Sequence, residues 1–170
     1  MKSLENLQLG QDDQHIRLAD RVENQSASLA LASQARRCIE IFSWNLEPDL
    51  YDAPPFIDAL QKLALSHRKA QIRILIQDTT KAVKQGHRLI YLAQRIPSKI
   101  QVRKPSNEYS DFQQSFLIAD AIGIIRRPMH ERFEGELNFK DSIHAKQQLN
   151  FFNKVWGEAE TAPYLKRLHI

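Results

Sequence analysis

Two short apolar runs, each followed by a segment of helical spacing, constrain this chain more than any other feature. Residues 38–44 (Cys-Ile-Glu-Ile-Phe-Ser-Trp) and 71–77 (Gln-Ile-Arg-Ile-Leu-Ile-Gln) are too short for typical helices. They are rich in β-branched and aromatic residues and contain no Gly or Pro, so they read as buried strands. Between them, Phe56, Ile57, Leu60, Leu63 and Ala64 recur at helical spacing, on a segment ending near Lys69. After Asp78, a second helix is expected to run to about Arg95, with Ala82, Gly86, Leu89, Ile90 and Ala93 inward and Asp78, Thr79 or Thr80 as cap. Strand, helix, strand, helix is the pattern of βαβ units with helices packed outside a sheet.

Residues 99–103 form a third short strand, and 112–119 and 121–127 form two more that meet at or near Asp120. A weaker strand covers 133–139. Ser142 is expected to cap a last helix whose stripe is Ala145, Leu149, Phe152 and Trp156. Residues 26–37 suit a helix, and 45–55, with three prolines and three acids, a loop. The expected fold is α/β, a mixed, largely parallel sheet flanked by helices. Residues 1–25 are expected to be flexible or loosely packed, and 26–170 to be one domain, with the basic, aliphatic tail 163–170 docking as an edge strand.

Composition removes several classes. At 42% hydrophobic and 26% charged residues, the chain is ordinary for a globular domain. No apolar run approaches the ~20 residues needed to span a bilayer, and the first residues lack the apolar core of a secretory signal. A cytoplasmic protein without a membrane partner is the expectation. Cys38, the single cysteine, has no partner for an internal disulfide and reads as a small core residue. His15, His67, His87, His130, His144 and His169 show no i, i+4 pairing and no cysteine partners, so neither a metal nor a cofactor is expected. No Gly-x-Ser-x-Gly elbow and no glycine-rich phosphate loop occur.

Charge is informative by its position. Residues 62–104 hold eleven Lys and Arg against Asp78 alone, whereas the flanking segments are each slightly acidic. On a continuous helix after Asp78, Lys81, Lys84, Arg88 and Arg95 would project within about 60° of one another at ~100° per residue. Either this is a solvated helix face or it is a site for a polyanion, since ordinary surfaces intersperse both signs. A second cluster, Arg126, Arg127, His130 and Arg132, suits bidentate phosphate binding, or pairing with Glu131, Glu134 and Glu136 nearby. Trp44 ends the first strand, where it would either stack a base or plug the core.

From Ala35 to Trp156 the order of parts resembles one half of the phospholipase D superfamily. The opening strand Ala35-Arg36-Arg37-Cys38-Ile39-Glu40-Ile41 carries the resemblance, with the second strand at 71–78, the short strand at 99–103 and the closing helix Phe151-Phe152-Asn153-Lys154-Val155-Trp156. That family's signature is His-x-Lys, four residues, Asp. Aligned on Asp120, this chain reads Gln113-Gln114-Ser115-Phe116-Leu117-Ile118-Ala119-Asp120. Gln113 stands at the position of the nucleophilic histidine and Ser115 at that of the lysine; the aspartate alone is kept. The Gly-Ser and later Asn of the family fall on Arg127, Pro128 and Glu131. An amide does not attack phosphorus as an imidazole does, and a serine hydroxyl supplies no positive charge to the developing phosphoryl group. The resemblance therefore implies a half domain without the family's chemistry. Because such halves face one another in pairs, it also implies a homodimer.

Three functions stay open. The first is a non-catalytic domain binding nucleic acid, RNA or single-stranded, or another polyanion. The residues expected to hold phosphate are Lys81, Lys84, Arg88, Arg95, Arg126 and Arg127, with Gln113, Ser115 and Asp120 a vestigial site. The second is an interaction module acting as a homodimer or on a protein partner, its acidic loop 47–58 meeting the basic segment of another copy. The third is a phosphodiesterase using unfamiliar residues such as His87 or His130.

Overall fold

The two apolar runs lie side by side as parallel strands, Ile39 against Ile72 and Ile41 against Ile74. A computed structural model describes residues 4–161 of the chain. In chain order the first half forms β1 (Ile16–Leu18), α1 (Arg21–Gln34), β2 (Cys38–Ser43), α2 (Pro48–Tyr51), α3 (Pro54–Ser66) and β3 (Gln71–Ile76). The second half forms α4 (Thr80–Lys84), α5 (Arg88–Arg95), β4 (Ile100–Arg103), β5 (Ser115–Ala119), β6 (Gly123–Arg127), β7 (Gly135–Asn138) and α6 (Ser142–Glu158). The seven strands make one sheet in the order β1-β7-β6-β5-β2-β3-β4.

This is the expected mixed α/β sheet flanked by helices, although its parallel part is smaller than expected. β2–β3 and β3–β4 pair parallel, and the other four pairings are antiparallel. The reason lies in the connections. A parallel partner needs a crossover that carries the chain back to the starting end. Helix α3 does this before β3, and α4 with α5 before β4. Between β4 and β5 there is only a loop with one 3-10 turn at Asn107–Tyr109. β5 therefore begins where β4 ended and runs the other way.

Both faces of the central strands are covered, which is why their sequences are apolar without strict alternation. On one face Ile39, Ile41, Ile72, Ile74 and Leu117 pack with Ala27 and Leu31 of α1, Leu60 of α3 and Leu89 of α5. On the other, Phe42, Leu75, Phe116 and Ile118 pack beneath Ala145, Phe152, Val155 and Trp156 of α6. Leu149 of the expected stripe is only partly buried there. The cap of α6 is Asp141, one residue before the expected Ser142; its carboxylate accepts the His144 N–H at 3.1 Å.

Two expectations need correction. The amino-terminal segment is not loosely packed: Leu4, Leu7 and Leu18 are buried in the main core, and β1 pairs antiparallel with β7. Its polar composition hid three leucines spaced to reach one core. The single helix expected over 78–95 is two helices. Gly86, at φ +71, ends the first, and His87 caps the second by accepting the Leu89 N–H on its side chain. The proposed edge strand at 163–170 lies outside the described residues. Among the described residues, no helix is long and apolar enough to cross a membrane.

Candidate functional site

Ligand sites in α/β sheets cluster beyond the carboxyl ends of the strands. Here the chain brings Trp44 and Asn45 after β2, Gln77 and Asp78 after β3, Lys104 after β4, Gln113 and Ser115 at the start of β5, and Arg127 to His130 at the end of β6 to that end of the sheet. This is where the resemblance places a catalytic mouth. Ser115 is buried and cross-strand from Arg127, and its hydroxyl has no hydrogen-bond partner among the described residues. Gln113 is half-buried; its carbonyl accepts the His130 N–H at 2.8 Å. The Trp44 and His130 rings stack in parallel, centroids 4.4 Å apart with 3° between planes. Sequence reasoning left Trp44 between a base platform and a core plug; it is half-buried and covered by an imidazole.

Asp120 lies at the opposite end of the sheet from this mouth. It opens the β5–β6 turn at φ 54, with Ala121 following at φ 55, the left-handed pair that matches the twist of a hairpin. Its carboxylate accepts three backbone N–H groups: Arg36 at 2.8 Å, Arg37 at 2.8 Å and Cys38 at 3.0 Å. Asp120 is a clamp holding the hairpin to the start of β2. It reaches no reacting atom at the mouth. Beside it, burial and then the nearby Glu40 carboxylate push the Cys38 thiol up to about 12, which keeps it protonated and unreactive.

Arg127 is not a free phosphate ligand. Its side chain is 2% exposed, ion-paired with Glu47, and donates to the Arg132 carbonyl at 3.2 Å. A carboxylate of the chain itself thus occupies the guanidinium. Arg126, one residue earlier, faces the other side of the sheet. It stands 3.6 Å from Glu136 in a separate cleft of about 410 Å³ that His15, Asn138, Asp141 and His144 also line. The two arginines that adjacency in sequence grouped together are separated by the strand period.

His87 is buried, at 3% exposure. Nε2 donates to the Leu46 carbonyl at 2.9 Å and Nδ1 accepts from Leu89 at 3.1 Å. Both nitrogens are therefore committed to a neutral ring. Burial lowers its proton affinity further, against the opposing pull of Asp52.

The expected cationic stripe is divided by the break at Gly86. Lys81 and Lys84 lie on α4 at the carboxyl end of the sheet, Lys81 near Asp78; Asp78 is held below the ordinary carboxylate range by the Thr80 hydrogen bonds first, with Lys104 and Lys81 adding to the effect. Arg88, at the start of α5, is claimed by Asp52, with a 2.9 Å hydrogen bond to its carbonyl and 3.5 Å to its carboxylate. Arg95 closes α5 one turn before β4 begins, at the amino end of the parallel strands. Of the eleven Lys and Arg in 62–104, Arg73 and Arg88 alone lie within ion-pair distance of a carboxylate among the described residues. Among those residues no group of three or more His, Cys, Asp or Glu is placed to hold a metal ion.

Residues 20–168 match the family described as Domain of unknown function (DUF7931). The chain belongs to this family. No curated protein sequence matches it. Among solved structures, the chain is similar to TrmBL2, described as an archaeal chromatin protein with a novel mode of DNA binding. That match has a TM-score of 0.66 at 15% identity, over 94% of this chain and 57% of that one. It is similar to Nuc, a phospholipase D family member from Salmonella typhimurium, with a TM-score of 0.64 at 15% identity, over 89% of this chain and 99% of that one. It also resembles phosphatidylserine synthase of Haemophilus influenzae Rd KW20, TM-score 0.61 at 12% identity, over 92% of this chain and 41% of that one. This DUF7931 chain therefore has the phospholipase D-like fold, at the length of one whole Nuc chain.

Proposed function

We propose that this DUF7931 chain is a non-catalytic phospholipase D-like domain that binds nucleic acid, RNA or single-stranded, through the phosphate backbone. The observation that carries the reading is charge without counter-charge: in 62–104, nine of eleven cations have no carboxylate at ion-pair distance among the described residues. Unpaired cations of one sign attract a polyanion and release its counterions on contact. The fold shared with a chromatin protein that binds DNA is consistent with this use. The non-catalytic half of the reading rests on Gln113 and Ser115 at the signature positions, with neither a nucleophilic imidazole nor an ammonium supplied there. Of the two alternative histidines, His87 has both nitrogens engaged.

Fluorescence anisotropy with labelled single-stranded RNA, single-stranded DNA and duplex DNA across a salt series tests the binding. Affinity is expected to fall steeply with salt, and absence of binding at low salt refutes the reading. Hydrolysis of a chromogenic phosphodiester by the wild-type chain, lost in His130→Ala, would refute its non-catalytic half.

A further inference from the structure

The binding reading leaves open which surface meets the polymer, and the cations distribute unevenly over the fold. Three loops enter the parallel strands at their amino ends: 35–37 before β2, 67–70 before β3 and 97–99 before β4. They carry Arg36, Arg37, Arg68, Lys69 and Lys99, and α5 delivers Arg95 to the same end. All are exposed except the half-buried Lys99. None has a carboxylate at ion-pair distance among the described residues.

The three loops form one platform because their backbones are bonded to one another. The Arg36 carbonyl accepts from His67 Nε2 at 2.6 Å, and the Arg37 carbonyl from the Gln71 N–H at 3.0 Å. The Lys99 carbonyl accepts from the Ile72 N–H at 2.8 Å, and Lys99 Nζ donates to the carbonyls of His67, at 3.1 Å, and Arg68. Asp120, the acid beside Arg36 and Arg37, spends both oxygens on backbone N–H groups, and Glu5 shares a cleft with Arg36. The carboxyl end is mixed in sign. There Glu47, Asp52 and Asp78 stand with Arg127, Arg88 and Lys81, so that end offers a phosphate chain repulsion as well as attraction.

Resting on the nucleic-acid reading, we infer that the phosphate backbone of a single strand is held at the amino ends of the parallel strands, across Arg36, Arg37, Arg68, Lys69 and Lys99. This is the end of the sheet away from the vestigial mouth. Three adjacent strands span about 10 Å at ~4.8 Å spacing, so the three loops present their cations along one continuous edge of the sheet. Contacts made there come from loops fixed by the sheet, so the platform is preorganised.

The test compares three charge-reversed double variants with the wild-type chain, each checked for unchanged circular dichroism. Binding of labelled single-stranded RNA is measured from low to high salt. R68E/K69E is expected to weaken binding at least about tenfold and to reduce the slope of log K against log salt by about 1.4, as for two lost single-strand phosphate contacts. R36E/R37E is expected to do the same. Should K81E/K84E weaken binding as much or more, the contact lies at the carboxyl end and the inference is overturned. No binding by the wild-type chain overturns the parent reading, a different outcome from wild-type binding that both amino-end variants retain. Capture by phosphatidylserine vesicles without any RNA binding would overturn both in favour of a membrane surface.

Discussion

Asp120 carries structure at a position where the sequence resemblance alone implies chemistry. Replacing it with Ala leaves three N–H groups of 36–38 without their acceptor and puts a less tolerant residue at φ 54. Chemical denaturation of Asp120→Ala is expected to show a loss of about 1–3 kcal/mol. Asp120→Asn keeps the oxygen that serves Arg37 and Cys38 and tolerates the left-handed conformation, so its loss is expected to be the smaller. Equal losses would mean that charge, and not the acceptor geometry, holds the clamp. The Arg127–Glu47 pair calls for a double-mutant cycle. Removing Glu47 leaves the buried Arg127 charge unpaired, at a cost of about 3–5 kcal/mol, and removing Arg127 leaves the half-buried Glu47 unpaired at a smaller cost, whereas Arg127→Met with Glu47→Gln is expected to cost clearly less than the sum. Additive losses would show that the pair is not coupled.

His87 sets a pH dependence at the same scale. Its folded-state value is lowered by burial from the ordinary 6.5, so the unfolded chain binds the proton more readily. The stability this residue contributes is then present above about 6.5 and is lost as pH falls through the folded value. Protonating Nδ1 also removes the acceptor that caps α5. The drop in unfolding free energy between pH 7 and 5 is expected to be smaller in His87→Gln than in the wild-type chain, and an identical drop would clear His87 of the effect.

At the scale of elements, the break between α4 and α5 decides where the cations go. Gly86 at φ +71 allows it, and a Cβ there would stand 2.8 Å from the Tyr91 hydroxyl. Gly86→Ala is expected to cost about 1 kcal/mol from the backbone alone, since the tyrosine tip can shift; thermal denaturation reads it, and an unchanged midpoint would show that the break does not depend on glycine. Helix α6 covers the other face of the sheet through few large side chains. Arg73 and Arg103 lie over the Trp156 ring at 5.5 and 4.3 Å, and Arg73 also meets the buried Glu40 at 3.3 Å. The α6 helix therefore roofs an ion pair as well as an apolar cluster, which explains charged residues inside two strands that otherwise read as apolar.

For the molecule as a whole, the domain begins earlier than composition suggests. Deleting residues 1–18 removes β1 and the buried Leu4, Leu7 and Leu18. At about 1.5–3 kcal/mol for each fully buried leucine, a chain starting at Ala19 is expected to unfold at a markedly lower denaturant concentration; an unchanged midpoint would restore the view of a dispensable lead-in. The sequence by itself determined the alternation of strands and helical segments from β2 to β4, the hairpin near Asp120 and the closing helix, because periodicity and turn chemistry are local properties. Tertiary structure alone decided that the amino-terminal leucines join the core, that Arg127 is spent on Glu47, and that the basic segment divides between the two ends of the sheet. Those outcomes depend on which groups distant in the chain meet, and a βαβ crossover carries neighbouring cations to opposite ends of the strands it connects.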